Sequence, residues 1–201
     1  MESRKTADAQ QPEDRWDQLR PSAVLAIREL AASLESGGRA RDVLDLYVYS
    51  KRIVAEVMEA RLEMEFPEPC VEFHQIRDEL AVAMADQYGD VVPRPYLTVP
   101  YGSRVHEKLF QILLQRFDTE VPAGLLRIPT RDSVHSERRL RELRELGLDI
   151  SPSKSSGVDT YRLRSLRLDF SLIPRIVYNN AQKKKHALMP KAKLKKALGT
   201  S

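Results

Sequence analysis

The sequence predicts a mainly α-helical chain in two parts: a helical module first, then three helices closed by a short β-hairpin. Three observations predict it. Apolar residues recur at helical spacing through most of the 201 residues. Hydrophobic residues make up 42% of the chain, enough for a core, while aromatics at 6% and charged residues at 31% favour helices over a sandwich. The net charge of +4 also conceals a split between the halves. Residues 101–201 hold 21 Lys and Arg against 10 Asp and Glu, whereas the first hundred hold 12 against 19. Such asymmetry points to a polyanionic partner for the C-terminal half.

Residues 1–14 are polar and are expected to be disordered. A helical interaction or dimerisation module is expected over 15–90. Its first helix carries Ala23, Val24, Ile27, Leu30, Ala31 and Leu34, and Gly37-Gly38 ends it. The second, from Arg41 to Phe66, carries Leu44, Tyr47, Val54, Val57, Met58 and Leu62 until Pro67 and Pro69 stop it. The third, about Cys70 to Tyr88, places Phe73, Ile76, Leu80, Ala83 and Met84 on one stripe. Residues 91–102, with Pro93, Pro95 and Pro100, are expected to be a semi-rigid extended connector.

Over 103–175 the periodicity changes. Ser103 is a candidate N-cap for a helix bearing Val105, Leu109, Phe110, Ile112, Leu113 and Phe117. Pro122 opens a short helix with Leu125, Leu126 and Ile128. A third helix over 133–147 has Leu140, Leu143 and Leu146 on one side, arginines on the other, and Gly147 at its end. Leu148-Asp149-Ile150 begins a strand, Ser151 to Asp159 is rich in turn formers, and Thr160-Tyr161-Arg162-Leu163-Arg164 alternates as a returning strand should. Residues 176–201 form a basic tail, with Lys183-Lys184-Lys185 and four further lysines at 191–196, expected to be flexible.

The order helix, short helix, helix, hairpin is that of a winged helix-turn-helix. The run from Arg138 to Ile150, followed by Tyr161-Arg162-Leu163, resembles the winged helices of bacterial transcription regulators. It is equally similar to the winged helix attached to some bacterial restriction-type nucleases of the HNH class. The resemblance covers about sixty residues. It implies that the third helix enters the major groove of double-stranded DNA while the wing meets an adjacent groove or the backbone. On that reading Arg131, Ser133, His135, Ser136, Arg138, Arg139 and Arg141 are the expected DNA contacts, with Arg138 the foremost candidate for a base edge. Lys154 at the wing tip and Lys183, Lys184 and Lys185 in the tail are expected to meet phosphates. The implied role is transcription regulation, or a DNA-targeting subunit of a larger, phage-defence-type assembly. A dimer through the N-terminal helices would predict a two-fold symmetric target, although those helices could equally recruit another protein. The competing class is a structural adaptor whose winged helix binds protein. Glu137, Glu142 and Glu145 interleave the arginines, so on that reading the arginine face is a salt-bridged surface.

Enzyme readings fare worse. His74 with Asp78 and Glu79 has no second histidine nearby, so no metal is expected there. His106 and His135 lack catalytic partners close in sequence, Cys70 has no evident activating group, and no P-loop, Rossmann fingerprint or serine-hydrolase elbow occurs. No catalytic residue, metal or cofactor is therefore expected. A single cysteine excludes an intrachain disulfide and fits a reducing compartment. No apolar run approaches the ~20 residues that span a bilayer, and the N-terminus lacks the apolar core of a signal peptide, so a cytoplasmic protein with no membrane partner is expected.

Overall fold

A computed structural model describes residues 12–66, 69–130 and 136–199. The chain is mainly helical and divides into two compact units, residues 1–68 and 69–201. The first unit consists of α1 (Pro12–Glu35) and α2 (Ala40–Glu65). Gly37 turns the chain between them with φ +68, a left-handed conformation that costs glycine little. Ser50 Oγ donates to the Ala26 carbonyl at 2.9 Å midway along the pair, and Arg15 binds Glu59 and Glu63 at the end away from the turn, so the helices run antiparallel. Between them lie Ala23, Ala26, Ile53 and Val57, with Trp16, Leu19 and Val54 packed alongside. The helix begins at Pro12, slightly ahead of the expected start of the module. Of the residues expected to be core on α1 and α2, Val24, Ile27, Leu34, Leu44, Tyr47 and Met58 are exposed instead.

The second unit runs through α3 (Val71–Tyr88), α4 (Arg104–Gln115), β1 (Val121–Pro122), α5 (Ala123–Arg127), α6 (Ser136–Glu145), β2 (Asp149–Ser155), β3 (Val158–Ser165), α7 (Ile173–Gln182) and α8 (Lys191–Ala197). The third helix, expected to belong with the first two, is part of this unit. Its stripe of Phe73, Ile76, Leu80 and Met84 is buried, and Phe73 meets Phe110 of α4 at 5.4 Å between ring centroids. Leu109, Phe110, Ile112 and Leu113 of α4 are fully buried, as is Leu143 of α6, and Leu140 and Leu146 are nearly so. The three leucines predicted to face inward do so.

The strands form one antiparallel sheet in the order β1-β3-β2. β2 runs to Ser155, further than the turn-forming composition of 151–159 implied. The reversal needs only Ser156 (φ +49) and Gly157 (φ +81), the two positive-φ positions of a type I′ turn, whose twist matches that of the flanking strands. Pro152 is tolerated because β2 lies at the sheet edge, where a missing N–H breaks no ladder.

Two expectations about the flanks are corrected. Residues 91–102 are not a spacer between domains but part of the second unit. Tyr96 and Val92 are buried, Asn180 of α7 donates to the carbonyls of Tyr96 and Thr98, and Arg77 of α3 donates to those of Val99 and Pro100. Prolines remove N–H donors but leave carbonyls, and here two side chains satisfy them. Nor is the basic segment flexible throughout: α7 buries Ile176, Val177, Asn180 and Ala181, and α8 buries Leu194 beside its lysines.

Candidate nucleic-acid interface

Helix α6 displays its arginines because three leucines at i, i+3 and i+6 anchor its opposite side. Arg138 and Arg141 project furthest, each with 62% of its side chain exposed, and Arg139 is at 38%. All three meet carboxylates of their own helix. Arg138 Nε lies 3.1 Å from Glu142 and Arg139 Nη1 2.8 Å from it, while Arg141 Nε stands 3.8 Å from Glu145. Arg138 thus donates its Nε–H to Glu142, whereas the Arg141–Glu145 contact is a loose ion pair, longer than a hydrogen bond. The buried Nε of Arg144 has no hydrogen-bond partner there.

Glu142 ties this helix to α4. Its Oε2 also lies 2.9 Å from Nε2 of the buried His106, whose Nδ1 lies 2.7 Å from Ser103 Oγ. Burial disfavours the charged form of His106 and, despite the carboxylate beside it, holds the imidazole below its usual range. The neutral ring therefore donates Nε2–H to Glu142 and accepts the Ser103 hydroxyl at Nδ1, a tautomer assigned from these partners. Burial of Glu142 works to raise its pKa, but hydrogen bonds from His106, Arg139 and Arg138 outweigh it and bring the carboxyl to about 2. Glu142 is thus ionised wherever the protein is folded near neutrality.

A second tie fixes the end of α6. Tyr101, at φ +57, donates its hydroxyl to Glu145 at 2.7 Å; burial, then this carboxylate, push the phenol up to about 12. Lys183 sits 4.8 Å above the Tyr101 ring. One lysine of the basic segment is thereby brought beside the arginine helix, while Lys184 and Lys185 point into solvent. Lys154 is exposed next to the hairpin turn, opposite Asp159.

The expected contacts therefore divide. Arg138, Arg139, Arg141, Lys154, Lys183, Lys184 and Lys185 are accessible. Ser136 is not: it is 5% exposed on the leucine side of α6, where the helical phase places it, so it is withdrawn as a DNA contact. Arg131, Ser133 and His135 lie outside the described residues. The sequence reading missed Ser103, His106 and Tyr101 as supports of the arginine helix. Ser103 does stand at the start of α4, but its hydroxyl makes no cap bond to the backbone; it is taken up by the His106 ring three residues on, which its N-cap candidacy did not foretell.

Among the described residues no group of three His, Cys, Asp or Glu could hold a metal ion, and no helix is long and apolar enough to cross a membrane. Burial, the largest influence on it, pushes the Cys70 thiol up, the opposite of activation. No family model matches this chain, and no curated protein or solved structure does.

Proposed function

We propose that residues 69–201 contain a winged helix that binds double-stranded DNA, with α6 in the major groove, the β2–β3 hairpin against the backbone and the 183–185 lysines adding phosphate contacts. The reading rests on one observation above all. Arg138 and Arg141 stand with 62% of their side chains exposed on the face opposite the leucines, Arg138 steadied by an Nε–H bond to Glu142 and Arg141 in a looser ion pair with Glu145. An exposed guanidinium carries the paired donors that fit guanine O6 and N7, or a phosphate. A side chain oriented before binding loses less entropy on binding, so the carboxylates can aid recognition although they neutralise charge. The element order α4, β1, α5, α6, β2, β3, with β1 closing onto β3, supports the winged-helix assignment. The unit's 23 basic against 15 acidic residues support a polyanion as partner. Transcription regulation, or targeting of a larger DNA-processing assembly, is the corresponding cellular role.

A second reading, a protein-binding adaptor, draws on the same ion pairs, since Glu142 and Glu145 already partner three arginines. Salt separates the two. Duplex affinity measured by fluorescence anisotropy should fall linearly with the logarithm of salt, by ~0.9 log unit per log unit of salt for each phosphate contact. Arg138→Ala with Arg141→Ala should weaken duplex binding at least ~10-fold while the far-ultraviolet circular dichroism stays unchanged. Wild-type affinity in that double variant would remove α6 from the interface.

A further inference from the structure

The first unit leaves one face of its hairpin apolar and uncovered. Successive helical residues turn by about 100°. On α1, Trp16, Leu19, Ala23 and Ala26 point at α2, while Val24, Ile27, Ala31 and Leu34 follow a 3-4-3 spacing turned roughly 80° to one side of that direction. On α2, Ser50, Ile53 and Val57 point at α1, and Tyr47 and Met58 are turned roughly 90° in the same rotational sense. Because the helices are antiparallel, equal rotations bring both stripes to the same face of the hairpin, with Leu44 at its rim. Val24, Ile27, Leu34, Leu44, Tyr47 and Met58 are each 43–60% exposed.

We propose that this face is a homodimer interface, in which a second copy of the chain lays the same face against it to complete a four-helix bundle. The core of a lone hairpin is thin: two of its four central buried residues are alanines. A two-helix unit of this size rarely stands without a partner layer. Six side chains about half exposed offer roughly 500 Å² per copy, hence roughly 1,000 Å² across the pair, about the size that separates a biological interface from a chance contact and short of a large obligate one. Toward the open end the face is bounded by Arg20 and Arg61, paired with Asp17 and Glu65. These neutral pairs present no net field that would select a charged partner, whereas a two-fold axis makes the patch its own complement. The inference is independent of the DNA reading.

The test is the mass of the full chain in solution, without DNA, by light scattering at micromolar concentration. Twice the chain's 23.0 kDa is expected for the wild type, and the single-chain mass for Ile27→Glu with Leu34→Glu, at unchanged helicity. Val82→Glu, equally exposed but in the second unit, should leave the mass doubled. A second probe is Ile27→Cys, which should form an intermolecular disulfide on oxidation near a two-fold contact of α1. A monomeric wild type, whether its face is covered by residues 1–11 or awaits a different protein, overturns the proposal. So does an Ile27→Glu, Leu34→Glu protein that remains a dimer, or dissociation by Val82→Glu alone.

Discussion

The two units are both helical, yet they solve the problem of burying apolar surface in opposite ways. Residues 69–201 surround α4 with α3, α6 and a small sheet, so Leu109, Phe110, Ile112 and Leu113 disappear from solvent altogether. Residues 1–68 have two helices, a core small enough to centre on Ala23, Ala26, Ile53 and Val57, and half-exposed large side chains beyond it. Charge follows the same division: the first unit carries 10 basic and 14 acidic residues, the second 23 and 15. The self-sufficient unit is the one with cations to offer a polyanion. The unit that leaves its apolar surface uncovered is the one suited to association. Burial that is complete within one chain frees the surface for polar recognition, whereas incomplete burial makes the surface itself the binding determinant.

Four variants test how deep that difference runs. Phe110→Ala should have the largest effect, ~3–5 kcal/mol by denaturant unfolding, because the surrounding close-packed side chains cannot collapse into the space. A loss below ~1 kcal/mol would mean that the second core is as loose as the first. Gly147→Ala comes next, at ~2 kcal/mol or more. Gly147 ends α6 at φ +100, and an added Cβ would meet Asp169 backbone atoms at 2.9 and 3.0 Å. Thermal unfolding of this variant reports how rigidly the end of the arginine helix is held.

Glu142→Gln should cost ~1–3 kcal/mol, since it leaves the charge-assisted bonds of Arg138, Arg139 and His106 weakened at a buried position. It also carries a pH signature. The Glu142 carboxyl, at about 2 against an ordinary 4.5, favours the folded state at every pH above 4.5, and that contribution is lost as pH falls from 4.5 toward 2. His106, held below its ordinary 6.5 by burial, acts in the same direction: its contribution is present above 6.5 and fades as pH falls below it. Wild-type stability should therefore drop in two stages on acidification, and Gln at 142 should flatten the lower one. An unchanged acid limb in the variant would show that the buried network is energetically silent. The smallest effect is expected for Lys183→Gln, Lys184→Gln and Lys185→Gln together. The fold should be unaffected, and the salt slope of duplex binding should fall by about 1 for each lost phosphate contact.

Much of the second unit was readable residue by residue. Leu140, Leu143 and Leu146 announced the buried side of α6, Gly147 its end, and the alternation of Thr160 to Arg164 a strand, because these signals are local and periodic. The i,i+3 and i,i+4 placing of glutamates among arginines likewise foretold the ion pairs on α6. Ser136 misled because it sits beside the arginines in sequence while helical phase turns it inward with the leucines. The first unit misled in a different way. Val24, Ile27 and Leu34 keep helical spacing, and periodicity reports that a stripe is apolar without reporting what covers it.

The sequence alone therefore determined helices α1 to α6, the hairpin, the segregation of charge and the arginine face, since each depends on residues within a few turns of one another. Tertiary structure decided the rest. It moved α3 and residues 91–102 into the second unit through Arg77 and Asn180, which reach carbonyls more than twenty and eighty residues away. It made His106 a neutral support for Glu142 across 36 positions of chain. Hydrogen bonds between distant segments depend on packing that brings the partners together, and no local pattern encodes that meeting.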